Sequence, residues 1–463
     1  MNAQPEKTPL LALNSPPTPE EQEQERSRRR SQRRKRVIGH IVAILAIYFV
    51  ITRVLYDLSL FQQPHRRHHP HWNDGQWASF NQLDTSEYPI PPDLTVAECA
   101  DWNEGRVTSL DGHVNVQHVF RLPISSSLLF LTARGPLSVG NVNIVQSDSE
   151  DESAIVTVVT HYDGDSDDFD SLRLVKLCRV VADEDENGVG IFSARPHHRR
   201  HDYHIRFNVT VTLPKGSEHS PLVVSNLSTK MDGVFSHYVE DLADSVFFNS
   251  INLAGALRPI QVRSLKAGTA SIGTANSPIE GNFTVTKSLK LKTANAHIDA
   301  SVKMLNKRSG DHKTNLVMET VNSPIEASVS LLSVGPEDIE LTSNGAFSIK
   351  ARNARGSVKL AFPTAPVNST VIVDAKTALS PINVNMHKTF EGSFAIRSTP
   401  LDKKDVTKQE AADPEGKGRK RSLVFDSVNG GSVDGRVFWG DEQGKGRGSI
   451  KLETAMSPIV LVV

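Results

Sequence analysis

The sequence predicts an all-β protein whose strands stack as strand–corner–strand repeats, in the manner of a β-solenoid or β-helix, behind one transmembrane helix. A large two-sheet β-sandwich is the alternative arrangement of the same strands. Three observations support this prediction. A short phrase recurs in the C-terminal half, apolar and polar residues alternate over long stretches, and one apolar run follows a basic block near the N-terminus.

The recurring phrase begins with Thr and ends with an apolar residue five positions later. Its clearest copies contain Ser-Pro-Ile and start at Thr274, Thr320, Thr377 and Thr454, and looser copies start at Thr293 and Thr342. A phrase that recurs in this way marks structural units that stack on one another. Successive copies start 19, 27, 22, 35 and 77 residues apart, so we expect loops of variable length between the units.

Alternation on both sides of the phrase predicts a strand, a corner and a second strand. Leu289 and Leu291 are the inward residues before Thr293, and Ile298 and Ala300 are the inward residues after it. Because five is an odd number, a straight strand would place these two sets on opposite faces. The chain must therefore turn within each copy. Proline favours such a turn because it fixes φ and has no N–H to donate.

Composition divides the chain into five segments. These are a disordered basic cytoplasmic tail (1–36), a transmembrane signal anchor (37–58), a His/Pro-rich stalk (59–93), a β module (94–225) and a repeat β domain (226–463) with a disordered insert at 399–422. The β module shows strict period-two alternation and is predicted to be antiparallel. The insert is charged and lacks alternation, so we expect a solvated loop.

The apolar run predicts a membrane anchor with type II topology. It starts at Val37 and reaches the ~20 residues that a bilayer requires because Arg53 can extend its charge to the interface. The block of basic residues before it indicates the cytoplasmic side. A cleaved signal peptide is the less favoured alternative, since no small-x-small cleavage site follows. We therefore expect the lipid bilayer as a partner through one helix. Residues 59–463 would lie in the secretory pathway or at the cell surface.

The predicted lumenal part carries candidate modification sites. Four N-x-S/T sequons are candidates for glycosylation, at Asn208, Asn226, Asn282 and Asn368. Alternation places three of them on outward faces, whereas Asn226 cannot be phased. Cys99 and Cys178 both follow the anchor and are candidates for a disulfide in an oxidising lumen. Two unpaired buried thiols are the alternative.

Carboxylates recur directly after the apolar residue that ends the phrase, at Glu280, Asp299 and Glu326. If the units stack in register, these side chains line one outward face. A solvated face explains them most simply. The alternative is a lumenal glycan-modifying enzyme, because paired carboxylates catalyse the cleavage of glycosidic bonds.

Other features of the sequence indicate no specific chemistry. The net charge of −1 does not indicate a nucleic-acid partner. The stretch Asp183–Gly188 resembles the first half of a Ca²⁺-binding loop, but Ala194 stands where the loop requires its final Glu. Two histidine-rich stretches, at 65–71 and 197–204, lack a recognised ligand spacing. We expect no catalytic residues, no metal and no cofactor.

The repeated phrase, behind a basic tail and a single anchor, resembles uncharacterised fungal single-pass membrane proteins. Their ectodomain is similar to an adhesin-like β-solenoid domain of unknown function that occurs widely in bacteria. The resemblance covers about residues 225–463 and, more weakly, 94–225. It implies a structural or adhesin-like binding module with a glycan or protein ligand on a long β face, and it provides no catalytic residues.

Overall fold

A computed structural model describes residues 88–110, 113–163, 172–195, 205–307, 312–335, 340–341, 343–441 and 448–463. The elements that these residues form are 28 β-strands, which confirms the predicted all-β class. The predicted cytoplasmic tail, the anchor at 37–58 and most of the stalk lie outside the described residues. Within the described ranges, none of the chain forms a helix that is long and apolar enough to cross a membrane.

The strands have the following bounds: β1 Thr95–Cys99, β2 Arg106–Leu110, β3 His113–Pro123, β4 Leu128–Arg134, β5 Val139–Gln146, β6 Ser153–Asp163, β7 Val175–Val181, β8 Glu186–Ser193, β9 Arg206–Leu213, β10 Leu222–Met231, β11 Val234–Asp241, β12 Val246–Ala254, β13 Ile260–Gly273, β14 Ile279–Lys292, β15 Ile298–Lys307, β16 Thr314–Glu319, β17 Ile325–Val334, β18 Glu340–Leu341, β19 Ala346–Arg352, β20 Val358–Ala361, β21 Thr370–Lys376, β22 Ile382–Asn385, β23 Gly392–Arg397, β24 Lys404–Thr407, β25 Arg421–Asn429, β26 Ser432–Trp439, β27 Gly448–Glu453 and β28 Ile459–Val462.

The strands pair in two parallel ladders within one extended sheet that does not close on itself. Ladder A contains, in spatial order, β8, β4, β10, β12, β13, β14, β16, β19, β21, β27 and β23. Ladder B contains β9, β5, β11, β13, β14, β15, β17, β20, β22, β28 and β24. The long strands β13 and β14 each pair in ladder B with their first part and in ladder A with their last part.

Antiparallel strands extend the ends of both ladders. Strands β7 and β1 continue ladder A beyond β8, and strands β26 and β25 continue it beyond β23. Strands β6, β3 and β2 continue ladder B beyond β9. The 94–225 module therefore contains both parallel and antiparallel pairs. The expectation of a wholly antiparallel module was wrong. Its expected boundary at 225/226 falls inside β10, which pairs with β4 on one side and β12 on the other.

The hydrophobic core lies between the ladders and consists of columns of similar residues. The first inward residue after each corner illustrates this arrangement, because these residues are successive register partners in ladder B and all are fully buried: Ile279, Ile298, Ile325, Val358, Ile382 and Ile459. Branched side chains of this kind pack well on a pleated surface. Burial of each contributes roughly 1.5–3 kcal/mol relative to exposure.

Each corner is held by hydrogen bonds to the neighbouring corner, which explains why the phrase recurs. The backbone N–H groups of Ala294 and Asn295 both donate to the carbonyl oxygen of Ala275, at 3.0 and 3.1 Å. The buried hydroxyl of Thr293 donates to the carbonyl oxygen of Ser277 at 3.2 Å. Without its partner, the buried Thr293 hydroxyl would be left unsatisfied, at a cost of about 1–3 kcal/mol.

One predicted corner is wrong, and another was missed. Thr342 itself is outside the described residues. The strand after it, β19, pairs with β16 in ladder A, whereas the other copies lead into ladder B. The corner at this level starts at Asn353, five residues before Val358. Its Nδ2 donates to the carbonyl oxygen of Ser323 at 2.7 Å, and its Oδ1 accepts from the N–H of Gly356 at 2.9 Å. The Asn amide thus replaces the Thr hydroxyl.

The last repeat of the chain is inserted between two earlier ones. Strand β27 lies between β21 and β23, and strand β28 lies between β22 and β24. The 77 residues that separate Thr377 from Thr454 therefore include strands that lie beyond the last repeat in the ladders. The strands within it, β23–β26 (Gly392–Trp439), form a cap over the last repeat. Among the described strands, β24 pairs with β28 alone, so the cap depends on the C-terminal residues.

The charged insert at 399–422 differs from the expected disordered loop. It contains β24, and a turn organised by Asp413 follows that strand. The carboxylate of Asp413 accepts the backbone N–H groups of Glu415, Lys417 and Arg419, each at 3.0 Å, and the Arg419 guanidinium at 2.8 Å. Local polar hydrogen bonds organise this segment, and hydrophobic alternation does not report them.

Replacement of Leu452 by Ala tests the inserted repeat. Leu452 is fully buried in β27, so we expect a loss of about 2–5 kcal/mol in the free energy of unfolding. Urea denaturation measures this loss, and Ser449→Ala at an exposed position of the same strand is the control. Limited proteolysis should also cut the cap more readily in Leu452→Ala. A cap as resistant as in the wild type would contradict the arrangement.

His237 and Thr229 form a buried polar pair between β11 and β10. The Nε2 atom of His237 lies 2.9 Å from the Thr229 hydroxyl, and both residues are buried. The Nδ1 atom of His237 has no hydrogen-bond partner within the described part of the chain. Burial lowers the pKa of His237 from 6.5 to about 4, because a charged imidazole is poorly solvated in the core.

This pair predicts a loss of stability in acid. The folded state binds the proton more weakly than the unfolded state, so the contribution of neutral His237 is complete above pH 6.5 and is lost as the pH falls towards 4. The shift from 6.5 to about 4 corresponds to roughly 3 kcal/mol. Urea denaturation at pH 7 and pH 4 should show this excess loss for the wild type relative to His237→Gln. Equal losses in the two proteins would rule out His237 as the cause.

Candidate functional site

The outer face of ladder B brings the three predicted carboxylates together. Glu280 is the register partner of Asp299, and Asp299 is the register partner of Glu326. Paired strands lie about 4.8 Å apart, so these residues form an acidic column across three adjacent strands. The side chains are open to solvent, with exposed fractions of 41% for Glu280 and 57% for Glu326.

Neighbouring side chains pair with both ends of the acidic column. The Nε2 atom of His297 lies 3.0 Å from one oxygen of Glu280, and Gln261 donates to the other at 3.4 Å. At the other end, the ammonium of Lys359 donates to Glu326. This hydrogen bond raises the pKa of Lys359 above its ordinary value, and the charge of Asp299 adds to the effect. The column is thus part of an ordered polar network.

A shallow, open depression lies beside this network. The charged residues Asp299, Glu326 and Lys359 line one side of it. Its floor consists of small residues that are register partners on three successive strands: Ser301, Ser328 and Ala361. Small floor residues leave room for an extended ligand to cross the strands. Hydroxyl, carboxylate and ammonium groups can all hydrogen-bond to a polar chain.

The acidic column differs in its arrangement from the site of a typical glycosidase. A glycosidase places two carboxyl groups on either side of the scissile bond, in a site that surrounds the substrate. The three carboxylates of ladder B lie side by side along one open face. Two of them, Glu280 and Glu326, are also held by neighbouring polar side chains.

The predicted sequons fall at several places in the fold. Three of their asparagines are exposed: Asn226, Asn282 and Asn368. Asn282 is the register partner of Ser301, at the border of the depression. Asn208 is half-buried, and its Oδ1 accepts hydrogen bonds from Asn141 and Asn143, both at 2.9 Å. Alternation predicted the outward direction of Asn208 but not these neighbours, which lie on β5, the adjacent strand in ladder B.

The two cysteines lie at the N-terminal end of ladder A. Cys99 in β1 and Cys178 in β7 are register partners and form a disulfide. Cys178 is fully buried beside Val180 and Phe192. The bond closes a loop with a sequence separation of 79 residues and attaches the terminal strand β1 to the ladder. Such a crosslink stabilises a fold mainly by restricting the unfolded chain.

In the described ranges, no three or more His, Cys, Asp or Glu side chains are placed so that they could hold a metal ion together. In the Asp183–Gly188 stretch, residues 183–185 form a turn and the next three residues begin β8. Its Asn187 is buried and donates to the hydroxyl of Ser126 at 3.1 Å, so this side chain is used for packing. The histidine-rich stretches at 65–71 and 197–204 lie outside the described residues.

The outer face of ladder A is charged but largely neutralises itself. Arg352 pairs with Asp374 on the next strand. Glu453 accepts from Lys376 at 2.7 Å and from Lys451 at 2.8 Å. Partly exposed ion pairs such as these contribute about 1 kcal/mol or less each. The depression on ladder B is therefore the better candidate for a ligand site.

Comparisons with known proteins find limited similarity between this chain and one family model and two solved structures. A family model described as "Domain of unknown function (DUF7330)" matches residues 269–404, which is less than half of the chain. This match covers the corners from Thr274 to Thr377 and the whole acidic column. A search of curated proteins finds no match.

Two solved structures are also similar. One, from Bacteroides fragilis, bears the name "putative adhesin"; it is 12% identical, with a TM-score of 0.26, and the match covers 56% of this chain and 96% of that one. The other, a "putative cell adhesion protein" from Clostridium sporogenes, is 8% identical, with a TM-score of 0.14, and the match covers 75% and 99%. Scores this low carry no argument about function.

Proposed function

We propose that this protein is an adhesin-like binding module that holds a glycan or protein ligand against the outer face of ladder B. The observation that carries the proposal is the register of that face. Polar groups of one kind recur on successive strands, beside a floor of small residues. We propose no catalytic role for Glu280, Asp299 or Glu326.

The chemistry of the face favours an extended polar ligand. Its groups repeat about every 4.8 Å, the distance between paired strands. A polymer with hydrogen-bonding groups at a similar interval can contact several strands at once, and such linked contacts strengthen binding without any single strong site. The backbone ladder keeps the groups in place, so little ordering is needed when the ligand binds.

We further propose that the two ladders form a β-solenoid on a single-pass, glycosylated type II membrane protein. The corners support the solenoid, because each joins a ladder A strand to a ladder B strand. The basic block before the apolar run supports the orientation. The exposed sequons and the disulfide are compatible with a lumenal or extracellular domain.

A binding screen with a blocked depression tests the proposed site. The purified protein is applied to glycan and peptide arrays and compared with a Ser301→Trp, Ser328→Trp variant that fills the floor. We expect the wild-type signals to fall at least about tenfold, because the ligand can no longer approach the carboxylates. Ser449→Trp, at an exposed position on ladder A, is the control. Equal signals from all three proteins would contradict the proposal.

Protease protection on microsomes tests the proposed topology. We expect residues 59–463 to be protected from added protease and to lose mass when a glycosidase removes N-linked glycans. Sequon variants with Asn→Gln at one position each, including Asn282→Gln beside the depression, assign the modified sites. Digestion of the large domain with no glycosidase shift would place it in the cytosol and overturn the topology.

A further inference from the structure

Strand β25 is the terminal strand of ladder A and is open along one edge. It is nine residues long and, among the described strands, pairs only with β26. The cap extends ladder A by two strands beyond β23, whereas ladder B stops at β24, which is level with β23. The free edge of β25 therefore presents unpaired backbone donors and acceptors.

This strand also exposes apolar side chains. The exposed fractions are 37% for Val424, 47% for Phe425 and 68% for Val428. The terminal strand of ladder B differs, because β24 has only four residues and carries Asp405, which forms an ion pair with the exposed Lys403. Proteins usually protect edge strands with short length and charge. A long edge with exposed apolar residues is instead typical of a pairing site.

The regular part of the edge defines where a partner strand would bind. Register between β25 and β26 is continuous from Arg421 to Phe425 and shifts after Phe425. This segment has a basic residue at one end and an acidic residue at the other, so two antiparallel copies would bring opposite charges together. Lys420 is exposed just before the strand, and Asp426, which also forms an ion pair with Arg436 on β26, is exposed just after its regular part. When Leu423 faces its own copy, Lys420 of each chain lies opposite Asp426 of the other.

We propose that β25 pairs with β25 of a second copy of this chain, antiparallel and centred on Leu423. The pair places Ser422 opposite Val424 and Arg421 opposite Phe425, and it joins the two ladders A into one continuous sheet. A symmetric contact of this type uses the same surface on both copies. The dimer presents two ladder B faces on one rigid body. The dimer would increase avidity only if the proposed binding function is correct. The pairing of the two strands itself does not depend on that function.

Sedimentation of the purified protein tests the pairing. We expect a dimer that dissociates on dilution, and an increase of at least about tenfold in its dissociation constant for Val424→Lys, because the two added ammonium groups are diagonal neighbours in the interface and repel each other. Val119→Lys is the control, since Val119 is 50% exposed on β3, a strand paired on both sides. Monomers at every concentration, or equal effects of the two variants, would overturn the proposal.

A cysteine crosslink tests the register. Both native cysteines are joined in the disulfide, so Leu423→Cys adds the one free thiol. Antiparallel pairing centred on this position brings the two added sulfur atoms within bonding distance. Mild oxidation should therefore yield a covalent dimer of Leu423→Cys and none of Val223→Cys, at an exposed position on β10. Absence of the Leu423→Cys dimer would show that β25 does not pair in this register.

Discussion

The hydrogen bonds between neighbouring corners are the interaction on which the structure depends. At each corner, a turn between the two ladders exposes backbone groups that no strand partner can satisfy. The next corner provides the partners: the carbonyl oxygen of Ala294 accepts the N–H groups of Val321 and Asn322, as that of Ala275 does one level earlier. Every level of the structure is thus completed by the level beside it, which forces the strands into register.

Register in turn determines both faces of each strand. Inward residues must stack on residues of similar shape, which gives the column of Ile279, Ile298 and Ile325 in the core. Outward residues stack in the same way, so the acidic column on ladder B is a consequence of the same constraint. Only corner hydrogen bonds and strand register hold one level against the next. Neighbouring levels therefore need not be consecutive in the chain. The last repeat can therefore lie between two earlier ones and hold the cap.

Much of the repeat region could be predicted from the sequence, because odd spacing within the phrase and alternation around it are local signals. The corner at Asn353 contains neither Thr nor Ser-Pro, so the phrase did not reveal it. Thr342 matched the pattern by coincidence and precedes a ladder A strand. The insertion of β27 and β28 depends on pairing between distant residues, and the acidic column depends on register. Alternation suggested the register but could not establish it.

Hydrogen exchange measured by mass spectrometry tests the central claim most directly. The chain terminus normally exchanges its amide hydrogens quickly because it frays. Since β27 and β28 are paired on both sides, residues 448–463 should exchange as slowly as β21 and β22, and more slowly than the edge strand β25. Fast exchange at 448–463, with slow exchange at β21 and β22, would show that the last repeat is not inserted between the earlier levels.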